Sequence, residues 1–117
     1  MKSYRDLIVW QKSVKLVTLI YGLVKRFPDD EKFGLTSQIK RSSVSIPSNV
    51  AEGYGRNYTK DYSRFLQISR GSLFEMQTQL EIALNLGFIT ISDLEDLKKL
   101  SVEVEKMLNS LISKLKA

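Results

Sequence analysis

Apolar residues recur along this chain at intervals of three and four, the period of a helix face, from Leu7 almost to the last residue. Between about Leu7 and Arg26 one such row holds Trp10, Val14, Val17, Tyr21 and Val24, and a second row beside it holds Val9, Leu16, Ile20, Leu23 and Phe27. An apolar arc that wide predicts a helix touching more than one neighbour. The helix should end at Phe27-Pro28-Asp29-Asp30, because proline disfavours helix in the residue before it and aspartate suits the start of the next element.

A second helical segment is expected over about Asp29 to Gly53, loosened near Gly34, with Leu35, Ile39, Ser42, Ile46 and Val50 pointing inward. Pro47 lies inside it. An internal proline removes one hydrogen bond and costs about 3 kcal/mol in an isolated helix, so a kink or irregular turn is expected if the helix continues. Gly53 and Gly55 are then expected to supply the positive-φ positions that end it. A third segment reads from near Thr59 to about Leu86, with Tyr62, Leu66, Ser69, Leu73, Met76, Leu80 and Ala83 in register and Gly87 as its stop. After the turn, Ser92-Asp93-Leu94-Glu95 has the form of a capping box, Ser92 capping and Glu95 reaching back to its amide. The fourth helix carries Leu97, Ser101, Val104, Leu108, Leu111 and Leu115 at alternating spacings of four and three, a seam suited to left-handed packing. No β-hairpin signature and no long repeat competes. The expected fold is therefore all-α, an up-down-up-down four-helix bundle forming one domain over residues 1–117.

Composition narrows the chemistry. The 117 residues include no cysteine, which excludes disulfides, thiolate metal sites and cysteine nucleophiles, and no histidine, the commonest general base and metal ligand. The apolar run Leu7 to Trp10 is far shorter than a signal-peptide core or a membrane span of roughly 20 residues, so a soluble, unprocessed, cytoplasmic protein without a membrane partner is expected. Gly53-Tyr54-Gly55 is a poor phosphate loop, with no strand before it and no third glycine or Gly-Lys-Ser/Thr after it. Glu75 and Glu81, or Asp93, Glu95 and Asp96, are possible acid/base or metal groups in isolation, but acidic residues at the start of the fourth helix are explained by its positive end. Di-iron bundles need Glu-x-x-His pairs. The expectation is no catalytic residue, no metal, no cofactor and no enzyme.

Charge changes the picture more. The net charge is +5 and the calculated pI about 9.5, and the excess is concentrated: +4 over residues 40–70 against −2 over residues 71–117. Lys40, Arg41, Arg56, Lys60, Arg64 and Arg70 are interleaved there with Tyr54, Tyr58 and Tyr62. Arginines pair phosphates, lysines add point charge and tyrosines stack on unpaired bases, which makes this a candidate RNA or DNA surface. The plainer reading is a solvated helix exterior partly neutralised by Glu52 and Asp61. Two further surfaces stand out. Gln38, Arg41, Ser45, Asn49 and Glu52 share a face of the second helix, either as a solvated flank or as a hydrogen-bonded seam at a subunit boundary. Ile68, Phe74 and Ile82, with Ile8 and Leu19, lie off the inward rows and suggest a second buried surface, hence self-association.

Leu7-Ile8-Val9-Trp10-Gln11-Lys12, Gln38-Ile39-Lys40-Arg41-Ser42 and, most specifically, Ser45-Ile46-Pro47-Ser48-Asn49-Val50-Ala51-Glu52-Gly53-Tyr54-Gly55-Arg56 resemble the bacterial four-helix-bundle family encoded by intervening sequences of large-subunit ribosomal RNA genes. The likeness spans nearly the whole chain, with Gly71 to Phe88 adding support and the fourth helix generic. The family's label as a ribosomal protein follows gene location, and its cellular role is not established. The resemblance implies a four-helix protomer that assembles into a homopentamer. It extends to accessory proteins of diversity-generating retroelements, which share the fold, bind nucleic acid and contact a reverse transcriptase. A ring would repeat each basic patch around its circumference. The resulting expectation is a non-enzymatic homopentamer that binds RNA or DNA through phosphates. The alternative is an interaction scaffold for an acidic protein, such as a reverse transcriptase, with no nucleic acid of its own.

Overall fold

In the computed structural model, which describes residues 2–116, four antiparallel helices make a bundle of 43 × 25 × 22 Å. They are α1 (Ile8–Leu23), α2 (Leu35–Tyr54), α3 (Thr59–Asn85) and α4 (Ile91–Lys116), in up-down-up-down order, with no strand among the described residues. Short 3-10 turns at Tyr4–Asp6, Val24–Arg26 and Asp29–Glu31 occupy the N-terminus and the α1–α2 connection. The 3-10 turns explain why α2 begins six residues later than its pattern suggested. Asp29–Glu31 is a separate turn, and the Glu31 carboxylate accepts from the Leu35 amide at 2.9 Å, satisfying one of the free donors at the start of α2.

Of the two apolar rows on α1, only one is core. Val9, Leu16, Ile20, Leu23 and Phe27 are buried, as is Val24 from the other row. Trp10 and Val17 are half-buried, and Val14 and Tyr21 are exposed. The inward rows of α2 and α3 are buried as expected, apart from the half-buried Tyr62. On α4, Leu97, Ser101, Val104 and Leu108 are buried, joined by Leu100 and Ile112. Polar groups in this core are paired. Ser69 donates to the Ile46 carbonyl at 2.8 Å, and Ser42 donates to Gln79 Oε1 at 2.7 Å, so each ties α2 to α3.

Three local expectations need correction. α2 stays helical through Pro47, so no irregular turn forms there, and the burial of Pro47 helps offset the lost hydrogen bond. Neither Gly53 nor Gly55 has positive φ. Gly53 is a buried helical residue and Gly55 sits at φ −77°, because what this position needs is room for α3 rather than a left-handed turn. The one positive φ among the described residues is at Gly87, at 77°. There the Phe88 amide donates to Ala83 O at 2.9 Å and the Gly87 amide to Leu84 O at 3.0 Å, the paired bonds of a Schellman stop. Finally, the capping box of α4 is not Ser92 with Glu95. Thr90 and Asp93 form it: Asp93 N donates to Thr90 Oγ1 at 3.2 Å and Thr90 N to Asp93 Oδ2 at 2.8 Å. Asp93 is also held by Arg26, which draws the box toward the end of α1.

Candidate nucleic-acid interface

The connection between α2 and α3 is only four residues, Gly55 to Tyr58, so the last turn of one helix packs directly on the first turns of the next. Phe65, buried on α3, anchors this corner. The guanidinium carbon of Arg56 lies 4.7 Å from its ring centroid and that of Arg64 4.8 Å away. A guanidinium held against a ring by the ring quadrupole keeps its in-plane N–H donors free for a phosphate. Arg56, Lys60 and Arg64 are all exposed. Among the described residues the ion pairs are Lys12–Glu103 and Arg26–Asp93, so these three cations have no carboxylate partner.

The fold brings further cations to the same end. Antiparallel packing sets the Tyr4–Asp6 turn, the end of α2, the start of α3 and the end of α4 at one level. Cross-helix bonds hold that register: Ser72 donates to Ser45 at 2.8 Å, and Arg70 to Asn109 Oδ1 at 2.9 Å. Lys2, Arg5, Lys114 and Lys116 thereby join Arg56, Lys60 and Arg64. The half of the bundle built from residues 2–15, 45–72 and 104–116 holds eleven Lys and Arg against four Asp and Glu. The half built from residues 16–44 and 73–103 holds seven against nine. The bundle is polarised lengthwise, a property that charge counted along the sequence does not reveal.

The six basic residues singled out from the sequence do not form one patch. Arg56, Lys60 and Arg64 cluster. Lys40 is half-buried with Nζ 5.0 Å from the centroid of Tyr21, and it lies with exposed Arg41 in the other half of the bundle. Arg70 is turned toward α4 by its bond to Asn109. Arg5, outside the basic cluster that the sequence singles out, has its guanidinium carbon 5.3 Å from the Tyr4 centroid and 5.7 Å from that of Trp10, at the basic end. The signal that could have found it is its spacing beside two aromatics in an amphipathic N-terminal segment. Of the three tyrosines, Tyr54 and Tyr62 pair edge to face at 6.1 Å, and burial, with Tyr54 adding, raises the Tyr62 pKa. Tyr58, 72 % exposed, is the one with a free ring.

The polar row on α2 contracts to a small set. Asn49 Nδ2 donates to Ser45 O and Ser45 Oγ, each at 2.8 Å, and Ser72 completes it from α3. Gln38, Arg41 and Glu52 are exposed and take no part in that set. Beside it, Tyr4, Trp10, Val14, Val17, Val44 and Pro47 line a groove of about 360 Å³ between α1 and α2, with no charged residue in its lining. The less buried row of α1 therefore forms a wall of this groove. Ile68, Phe74 and Ile82 on α3, and Ile8 and Leu19 on α1, are exposed as anticipated.

Among the described residues no group of three or more acidic side chains is placed to hold a metal ion, and no helix is long and apolar enough to cross a membrane.

The sequence model of the 23S rRNA-intervening sequence protein family matches residues 5–110. A solved structure of similar fold is a protein of unknown function from the S23 ribosomal protein family of Bacteroides thetaiotaomicron. It shares 29% identity over 90% of this chain and 98% of its own, with a TM-score of 0.82. No curated protein matches the sequence.

Proposed function

This chain belongs to the 23S rRNA-intervening sequence protein family, and from that premise we propose that it is a non-enzymatic, oligomeric protein that binds RNA or DNA through the basic end of its bundle. The observation that carries the reading is the docking of Arg56 and Arg64 on Phe65, beside Lys60, with none of the three in an ion pair among the described residues. Surface arginines in a mixed-charge exterior ordinarily meet acidic neighbours. Among the described residues neither Arg56 nor Arg64 forms an ion pair, and a guanidinium resting on a ring keeps its in-plane N–H donors available, an arrangement suited to phosphate oxygens. Exposed Tyr58 at the start of α3 adds a ring on which an unpaired base can stack.

Self-association is the second element of the reading. It is favoured by the uncharged groove between α1 and α2, with Val14 37 % and Val44 40 % exposed at its edge, and a homopentamer is the state that the family resemblance implies. Repetition of a modest basic end within an oligomer raises its avidity for a long polyanion.

Titration of a labelled, structured RNA at two salt concentrations tests the phosphate mechanism. Binding that weakens steeply as salt rises is expected. Absence of binding at low salt, or indifference to salt, overturns it. Light scattering at micromolar concentration tests assembly independently, and a monomer contradicts the oligomer.

A further inference from the structure

The opposite half of the bundle carries a second, differently built groove, of about 660 Å³, between α3 and α4. Its origin is legible in the helix seam. Where leucine would close the interface, α4 presents Ser101, to which Gln77 Nε2 donates at 2.8 Å while also reaching Glu105 at 3.2 Å. A serine at this level occupies less volume than a leucine would, and both Gln77 and Ser101 line the groove. The walls are apolar: Leu80 and Leu84 come from α3, Leu94 and Val102 from α4, and Ile91 stands 69 % exposed at one mouth. The rim is acidic. Glu81, Glu95 and Glu105 line it against the single cation Lys98, in a protein whose net charge is +5. None of these carboxylates belongs to either ion pair.

The geometry points to a docking site for a basic amphipathic helix presented by a protein partner. From Ile91 to Glu105 the groove follows α4 for about 21 Å, close to four turns of helix. An incoming helix with apolar residues at i, i+3, i+4 and i+7 sets them between Leu80, Leu84, Leu94 and Val102. Lysines or arginines flanking that stripe meet Glu81 and Glu95, which also selects against acidic helices. Charge complementarity and the grooved apolar floor together specify this occupant; a nucleic acid is repelled by the same carboxylates. The site is independent of the basic end, so one chain can hold a polyanion and a basic protein segment at once.

The test uses a fluorescein-labelled 18-residue helical peptide of leucine and lysine, followed by anisotropy and by amide chemical shifts of the full chain. Saturable binding is expected, with shifts at residues 77–84 and 91–105. Affinity should fall at least about tenfold in Glu81→Lys/Glu95→Lys and several-fold in Ile91→Asn. All three substituted positions are exposed, so the variants should stay folded, with a modestly lower melting temperature from the cation placed near the positive end of α4, and RNA titration should lose no affinity. Unchanged peptide affinity in Glu81→Lys/Glu95→Lys, or shifts confined to other helices, overturns the proposal. So does a change in self-association of that variant without peptide, which would assign the groove to a second copy. Because RNA is measured separately on the same variants, failure of the nucleic-acid reading leaves the peptide result standing.

Discussion

Gly53 and Phe65 approach so closely that a Cβ added to Gly53 would lie 2.7 Å from the Phe65 Cβ, with Tyr62 Cδ1 at 3.1 Å. The contact closes the α2–α3 corner and places Phe65 under Arg56 and Arg64. Gly53→Ala forces the helices apart, and overpacking of this kind costs about 1–3 kcal/mol. Gly55 is the control, since an added Cβ there meets nothing closer than 3.6 Å and its φ of −77° suits any residue. Gly55→Ala should leave stability unchanged or raise it slightly. Urea unfolding of both variants checks this; equal losses would contradict a role specific to the Gly53 contact.

Ser42 and Gln79 form a buried pair across the same two helices, and Gln79 Nε2 also donates to Glu75 at 3.1 Å. Ser42→Ala removes the donor and leaves Gln79 Oε1 buried without a partner, for which about 1–3 kcal/mol is expected. Adding Gln79→Met removes the stranded amide at similar volume. The double variant should therefore be less destabilised than the two single losses combined, a coupling that denaturant midpoints can resolve.

These two pairs show where sequence reading succeeds and where it stops. The three-four spacing placed Leu35, Ile39, Ser42, Ile46 and Val50 inward because helix periodicity depends on neighbours within one segment. It could not choose between the two rows of α1, since that depends on which neighbour each row meets. At Gly53 composition does not distinguish φ > 0 from close approach, and the position suits either; Phe65, twelve residues on, decides it. The α4 cap shifted from Ser92 to Thr90 because two overlapping Ser/Thr-to-acid spacings exist and Arg26, from a distant helix, engages Asp93. The candidate interface divided for the same reason. Arg56, Lys60 and Arg64 are local neighbours, whereas Lys2, Arg5, Lys114 and Lys116 join them only through antiparallel packing.

Acid should weaken the fold in part through that cap. The backbone hydrogen bond from Thr90, first, and then the Thr90 hydroxyl and Arg26 hold the Asp93 pKa below its ordinary value, although partial desolvation opposes them. Asp6 is lowered by the Lys2 and Ser3 amides, and Glu103 by Lys12. A depressed native pKa means stability that is present above the unfolded value of about 4 and is lost as pH falls through the native one. Melting temperature should therefore hold from neutrality to about pH 5 and fall below about pH 4. Asp93→Asn should lower it at neutrality and flatten the acid limb, while Ser92→Ala should leave both unchanged. An unaltered acid limb in Asp93→Asn would remove the cap from the explanation.

Phe65 makes it possible to separate charge from positioning at the basic end. If Arg56 and Arg64 each meet a phosphate, Arg56→Ala/Arg64→Ala should lower RNA affinity and reduce the slope of log affinity against log salt by about two units. Arg41→Ala, in the other half of the bundle, should leave the slope unchanged, and Arg70→Ala should alter it little because Asn109 already engages that side chain. Phe65→Leu keeps both cations and an apolar core residue but removes the ring they rest on. Affinity should fall several-fold while the salt slope stays near wild type, because the same charges still reach the phosphates from less restricted side chains. A slope that drops in Phe65→Leu as far as in the double alanine variant would mean that the ring sets whether the arginines touch the nucleic acid at all, rather than how well they are positioned.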